Sequence, residues 1–425
     1  MNDLKRIQPP VFPVGKIDLP EVSNIKLTNG INVYLIESGT EEVTRTEFIF
    51  RAGQIKENIP LLASTTNMML REDSQNYSSE ELNRRLDFYG AFLNPWTDKD
   101  MGGVTVFSLN KYQGKIIELC NEMIFRPAFP REELEALMNK RKQWFHINRE
   151  KVQNLAYDKI FELMFGPDHP YGYQIVEDDF DKIDTSFLRE FHTTYYDPGE
   201  MAVIVSGRIP LETVDLLQAN FGGYKRLNSS VKKSVPALKR SSTKKSHIKK
   251  ENVVQTAIRI GSPTINKRHP DYFGLKVLDT ILGGYFGSRL MKNIREEKGY
   301  TYGIRSNITS LDLSGYKTIS TEVGNEYVTR TIDEIYKEIN ILQDEIIAPS
   351  ELKIVKNYML GEMVRMFDGP FAAAESFRSA WEFGLNNDYY RKFADKIRSI
   401  GPDEIKALAQ SYYNTDELFE VIAGK

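Results

Sequence analysis

Alternating apolar and polar positions mark the start of the chain. Residues 25–37, IKLTNGINVYLIE, read as two strand-like runs flanking Asn29-Gly30, a strong hairpin signal. A β-rich run, TRTEFIFRAG, follows at 44–53, and the period then changes. Leu61, Leu62, Thr65, Met68 and Met69 fall on roughly one helical face of 58–72. Ser78-Ser79 with Glu80 and Glu81 has the composition of a helix start before LNRRLDFYG. Strand-like residues fill 102–108, amphipathic stretches run over 111–126 and 131–165, and YYDPGEMAVIVSGRIP at 195–210 reads as a buried strand and a turn.

The same order then recurs. VVQTAIRIGSP at 253–263 parallels FIFRAG, and the helical pattern of 270–283 parallels 58–72. YGIRSNITSLDLSGYKTIS at 302–320 parallels YGAFLNPWTDKDMGGVTVF at 89–107, an offset of 302 − 89 = 213. Leu134 in AFPREELEALMNKRK corresponds to Leu352 in APSELKIVKNYML, an offset of 352 − 134 = 218. Similar offsets at separate anchors point to one α+β unit of about 200 residues written twice, against the alternative of coincidental β-α patterning. The expected domains are 1–224 and 251–425, joined by 225–250, which holds ten Lys or Arg and no acid. No aromatics interleave within that run, so its Ser/Lys composition reads as a solvated linker rather than a nucleic-acid patch.

Composition narrows the field. Of 425 residues, 41% are hydrophobic and 27% charged, which excludes a wholly disordered chain, and the net charge of −3 gives no global basic field for nucleic acid. One cysteine, Cys120, rules out an intrachain disulfide and a multi-cysteine zinc cage. It lies in the apolar stretch IIELCNEMIF, where a buried, inert thiol is expected. No run approaches the ~18–20 apolar residues needed to cross a bilayer. The N-terminus, with Asp3 and two early prolines, lacks a signal-peptide pattern, so the expectation is a soluble cytoplasmic protein.

Familiar catalytic motifs are missing. None of His146, His169, His192, His247 and His269 lies three to five residues from another, there is no G-x-S-x-G elbow, and Gly283-Gly284-Tyr285-Phe286-Gly287 lacks the Lys-Ser/Thr of a phosphate loop. The most informative segment is ILGGYFGSRLMKNIREEKGYTYGI at 281–304, a glycine-rich turn followed by an amphipathic helix and a strand. It resembles the C-terminal half of the pitrilysin/insulinase-type zinc peptidases, which include the mitochondrial processing peptidases and bacterial relatives. Arg51-Ala52-Gly53, Tyr89-Gly90-Ala91, GPDHPYG and YYDPGEMAVIVSG extend the resemblance over nearly the whole chain, in the right order.

The resemblance implies a two-domain fold of repeated α/β sandwiches, one half of a clam shell. It also implies an inverted H-x-x-E-H motif on the first helix after the R-A-G strand, with a second glutamate about 76 residues on. Here that helix reads LLASTTNMML, which puts Ala63, Thr66 and Asn67 at the His, Glu and His positions, and Gln143 at 67 + 76 = 143. Alanine offers no ligand atom, threonine is no base at neutral pH, and a neutral amide is a poor zinc donor. The lone chain is expected to bind no zinc and to hydrolyse no peptide.

The family's arginine–tyrosine pair, seven residues apart, is matched by Arg295 and Tyr302. What the resemblance implies is a division of labour. A paralogous subunit carries zinc, and this chain supplies Arg295 and Tyr302 to peptide substrates across the chamber. The competing expectations are that Arg295 caps its helix or pairs with Glu296 or Glu297, and that Tyr302 is core. The resemblance also assigns substrate contacts to the edge strand at Phe92, Leu93 and Asn94, and to the glycine-rich turn at Gly284, Phe286 and Gly287. Pro95 interrupts the edge, so a vestigial strand is the alternative there, and a plain helix-entry turn is the alternative at 283–289. The alternative function is a non-catalytic scaffold or peptide-binding protein, alone or as a homodimer, since relatives in the respiratory chain keep the fold as structure.

Overall fold

Two mixed sheets organise the computed structural model, which describes residues 14–15, 17–225 and 235–425. Most of the N-terminal stretch read above for targeting, and residues 226–234 of the basic stretch, lie outside the described residues. The first sheet contains β1 (Ser23–Lys26), β2 (Asn32–Glu37), β3 (Val43–Phe50), β4 (Phe92–Thr97), β5 (Gly102–Leu109) and β6 (Ala202–Gly207), in the spatial order β1-β2-β6-β3-β5-β4. The second contains β7 (Lys245–Lys249), β8 (Gln255–Thr264), β9 (Thr301–Ser310), β10 (Gly315–Gly324) and β11 (Phe419–Gly424), in the order β7-β11-β8-β10-β9.

Removing β1 leaves the same topology in both halves. β2 pairs parallel with β6 as β7 does with β11, and every other pairing is antiparallel. The offsets between equivalent strands, 315 − 102 = 213 for β5 and β10 and 419 − 202 = 217 for β6 and β11, match those of the sequence anchors. The hairpin around Asn29-Gly30 also forms, with β1 and β2 antiparallel and Gly30 at φ 96° closing the turn. Part of the stretch read as linker is sheet instead: β7 lies within 225–250 and forms an edge of the second sheet.

Helix ends follow local chemistry. The Ser78 hydroxyl accepts from the Glu81 amide and starts the helix Ser79–Phe88. The long pattern over 131–165 divides into Arg131–Arg149 and Val152–Phe165.

β6 is buried at every position and β3 at seven of eight, because each sheet is covered on both faces. One cover comes from the other half. The helix Val152–Phe165 packs Ile160, Phe161 and Met164 against Ala257, Phe419 and Val421 of the second sheet. Reciprocally, the helix Pro370–Trp381 packs Ala373, Ala374 and Phe377 against Ile36, Ile49 and Ile204 of the first.

A polar joint also ties the halves. The Asp100 carboxylate accepts from the Tyr171 phenol and from the Asp312 amide at 2.9 Å, so a turn of the first half holds a turn of the second. Burial pushes the Asp100 carboxyl up from 3.8 to about 6, against these hydrogen bonds. The folded state therefore keeps this proton to higher pH than the unfolded chain. The Asp100 contribution to stability falls as pH rises from about 3.8 to about 6, and its penalty is complete above that. The Asp100→Asn variant should gain in melting temperature relative to the native protein as pH is raised through this window. A pH-independent difference between the two melting curves would refute the assignment.

Candidate functional site

The zinc-position helix is short, Leu62–Met68, and starts after Leu61 at φ 71°. Its first turn is capped from outside the helix: a Glu57 carboxylate oxygen accepts from the Ala63 amide at 3.1 Å. Burial pushes Glu57 up to about 7, and the hydrogen bonds from Ala63 and Leu61 and the charges of Arg141 and Lys99 oppose it. Ala63 and Thr66 are fully buried, and the Thr66 hydroxyl donates to the Leu62 carbonyl at 2.8 Å. Asn67 is buried too, and its amide donates to the Gly103 carbonyl at 3.1 Å and the Tyr196 hydroxyl at 3.0 Å.

This burial corrects the register read from sequence. An H-x-x-E-H motif must present its first and last positions, one turn apart, on an accessible face. Here the accessible i, i+4 pair is Ser64 and Met68, not Ala63 and Asn67. The equivalent positions are therefore Ser64, Asn67 and Met68, and adding 76 to the last reaches Trp144, which is 55% exposed. Gln143 is exposed as well. From the helix Arg131–Arg149, Arg141 reaches this turn, donating to the Ser64 hydroxyl at 2.8 Å and to the Thr65 hydroxyl.

Neither register supplies a histidine or a carboxylate, so these residues do not fit the zinc ion of the resembled family. Among the described residues no group of three or more His, Cys, Asp or Glu could hold a metal. Two of the histidines are packed inside: His192 stacks on Tyr196 with its Nε2 2.7 Å from the Ile124 carbonyl, and burial pulls His169 down to about 4. Cys120 is fully buried and its thiol is pushed up to about 12, as expected of an inert group.

The Ser64→His, Asn67→Glu, Met68→His graft should still hydrolyse no peptide, because Arg141 points a cation at the same turn and Trp144 provides no third ligand. Metal analysis and a fluorogenic peptide assay check this. Zinc-dependent turnover by the grafted chain alone would refute it.

The second candidate centre is more elaborate. The helix Tyr272–Asp279 widens into a π-helical turn over Thr280–Gly284, and after the glycine-rich turn a second π-helical stretch spans Met291–Glu297. Such widened turns concentrate at functional sites. Gly283 lets the first one lie against β9, because a Cβ there would come within 2.6 Å of the Ser306 amide nitrogen. Buried Asp279 fastens the same contact by accepting from the Ser306 hydroxyl at 2.5 Å. Arg289 binds Glu351 through two hydrogen bonds of 2.9 Å, and Asn293 donates to Glu334 at 2.9 Å and Glu338 at 2.7 Å.

Arg295 stands apart from these anchors. Its guanidinium lies over the Phe286 ring, 4.7 Å from the centroid, and makes no ion pair or hydrogen bond among the described residues. Tyr302 is 91% exposed, so it is not core, and Arg295 is not consumed by Glu296 or Glu297.

The glycine-rich turn leaves an open surface. Gly284 and Phe286 are exposed, and Gly287 sits where a Cβ would meet the Tyr285 ring at 2.8 Å. A pocket of about 350 Å³ opens beside it, lined by Gly283, Gly284, Tyr285, Phe286, Met291, Ile304, Arg305 and Tyr358. Arg305 and Tyr358 carried no motif that sequence reading could detect.

β4 is an edge strand, as expected, and Phe92 and Asn94 are exposed on it. Leu93 is a correction: it is 4% exposed and packs in the first core, so its side chain cannot contact substrate.

The two halves share one α+β topology, Arg295 and Tyr302 are open, and among the described residues no metal-binding cluster stands on the helix Leu62–Met68, so the chain has the fold of a zinc peptidase and no metal cluster there. Similar known proteins include some named zinc proteases and some named inactive or non-peptidase. A family model described as "Peptidase M16 inactive domain" matches residues 182–359. The chain is 24% identical over 298 residues to the "Uncharacterized zinc protease YmxG" of Bacillus subtilis, covering 70% of this chain and 72% of that protein. It is 20% identical over 387 residues to the "Non-peptidase homolog YmxG" of Helicobacter pylori, covering 86% and 84%. Its fold matches the crystal structure of a peptidase M16 inactive domain from Pseudomonas fluorescens with a TM-score of 0.80 at 22% identity, over 95% of this chain and 98% of that one. A protease from Helicobacter pylori matches with a TM-score of 0.86 at 17% identity, over 96% and 100%. Over residues 182–359 the chain is similar to the peptidase M16, pitrilysin-like family, and its fold matches solved structures of that kind. No helix among the described residues is long and apolar enough to cross a membrane.

Proposed function

We propose that this chain is the zinc-lacking subunit of a heteromeric metallopeptidase, working beside a zinc-bearing paralogue that supplies metal and general base. The observation that supports this most is the state of Arg295 and Tyr302: one cation without an ion pair among the described residues and one tyrosine 91% exposed. In this reading Arg295 donates charge-assisted hydrogen bonds to the substrate backbone or a carboxylate. Tyr302 donates to the oxyanion that forms at the scissile carbonyl. Phe92, Asn94 and the turn at Gly284–Gly287 line the path of an extended peptide. A reducing cytoplasm suits a chain with one cysteine.

A scaffold or peptide-binding reading, with this chain alone or as a homodimer, draws support from the relative named a non-peptidase homolog. Affinity purification from native cells separates the two. A stoichiometric partner carrying H-x-x-E-H, with chelator-sensitive peptidase activity in the purified complex, is the expected result. Recovery of the chain alone, or only as a homo-oligomer, would overturn the two-subunit reading in favour of the scaffold.

A further inference from the structure

We infer that the pocket beside the glycine-rich turn is a carboxylate anchor for an extended peptide, and that Arg305 is its specificity-determining residue. The inference deepens the peptide-binding part of the function proposed above and rests on it. Its determining residue, Arg305, lies outside the arginine–tyrosine pair.

Three observations converge on this pocket. The first is uncompensated positive charge. Arg305 lines the cavity from β9 and makes no ion pair or hydrogen bond among the described residues. Arg295 adds a second such cation where it stacks on Phe286, another lining residue. The nearby carboxylate of Glu351 is engaged by Arg289 in a two-pronged pair and is not free to neutralise them. A guanidinium left open at a cavity selects a planar anion that can take two parallel hydrogen bonds, and in a peptide that anion is a carboxylate.

The second is the wall. Tyr285 and Tyr358 stack with centroids 4.8 Å apart and planes at 29°, giving a rigid aromatic side to a cavity of about 350 Å³. That size lies at the small end of ligand pockets and has room for one peptide side chain or a chain terminus. The third is the approach. β9 is the outer strand of its sheet, with β10 on one side only, and its ten residues leave a backbone edge to which an extended chain can add. A peptide on that edge passes Tyr302 and reaches Ile304 and Arg305 at the pocket, so backbone pairing supplies affinity and the carboxylate supplies choice.

The carboxylate has two sources, an internal acidic side chain or the peptide's own C-terminus. The test uses the purified full chain and three fluorescent peptides of one common sequence. One carries a central Asp and a C-terminal amide, one a central Asn and an amide, and one a central Asn and a free C-terminus. Fluorescence anisotropy should show at least one carboxylate peptide binding about 10-fold or more tighter than the neutral one, as expected for a charge-assisted hydrogen bond. Whichever peptide gains identifies the source.

Arg305→Gln should abolish that preference, so that the carboxylate peptides bind no tighter than the neutral one, and Arg305→Lys should retain part of it. Because Arg305 is exposed, both variants should melt like the native protein. Equal affinity for all three peptides, no binding of any, or a preference that survives Arg305→Gln would each overturn the inference. The assay needs no partner subunit, so its failure is distinct from failure to find a zinc-bearing paralogue.

Discussion

Replacing Glu47 with glutamine should cost the folded protein about 3–5 kcal/mol, the usual penalty for stripping one member from a buried ion network. Glu47 is 1% exposed and lies on β3 between two arginines. One of its oxygens accepts from Arg45 at 2.8 Å, from the Thr105 hydroxyl at 3.1 Å and from Arg378 at 3.3 Å. Arg45 continues to the Phe371 carbonyl at 3.1 Å, and Arg378 to Glu382 at 2.7 Å while lying 3.5 Å over the Trp96 ring. Phe371 and Arg378 belong to the helix that the second half lends to the first sheet.

The side-chain amide introduced by Glu47→Gln would keep one acceptor but lose the charge, leaving Arg45 with only the exposed Glu375 at 3.6 Å as counterion. Urea unfolding followed by circular dichroism measures the loss. Because the network joins the halves, the variant should also expose the helix Pro370–Trp381 to protease before the rest of the chain. A change below about 1 kcal/mol, the range of a surface pair, would show that Glu47 does not hold this junction.

That network was invisible in the sequence for a physical reason. Arg45 and Glu47 are separated from Arg378 by more than 300 residues, and nothing in TRTEFIF distinguishes a buried glutamate from one on a solvated face. The duplication, by contrast, was legible, because strand order is written in local period and spacing. The burial of β6 was legible as an apolar run, whereas that of β3, which carries Thr, Arg and Glu, was not, nor was the source of the second cover, which comes from the opposite half.

That no shift of register puts a histidine in LLASTTNMML is a fact of the sequence alone. The register itself was not legible. One residue is a rotation of about 100° on a helix, and apolar residues at 61, 62, 68 and 69 left the accessible side undecided until Met68 proved 44% exposed. β7 was hidden because an edge strand of alternating Lys, Ser, His and Ile shares its composition with a solvated linker. Arg305 could not be singled out, because its significance lies in what it does not pair with.

In the complex with a zinc-bearing partner, Arg295→Ala and Tyr302→Phe should each lower kcat by about 10²–10³, the range for losing one preorganised donor to a developing oxyanion. Tyr302→Phe is the sharper test. It removes a single O–H from a ring that is 91% exposed, so neither folding nor assembly has reason to change. Arg295 likewise supports no ion pair among the described residues, and its loss frees only the Phe286 face. A control lies six residues earlier. Arg289→Ala breaks the pair with Glu351 that braces the segment, and should lower stability as well as turnover.

The division between kcat and KM then carries the information. A donor that acts only on the transition state lowers kcat at constant KM, whereas a group that binds substrate and transition state alike raises KM. Tyr302 is expected to follow the first pattern, and Arg295, placed between the turn and the edge strand, to show both. Unchanged turnover in both variants of an intact complex would remove the catalytic role and leave this surface as one that only holds peptide.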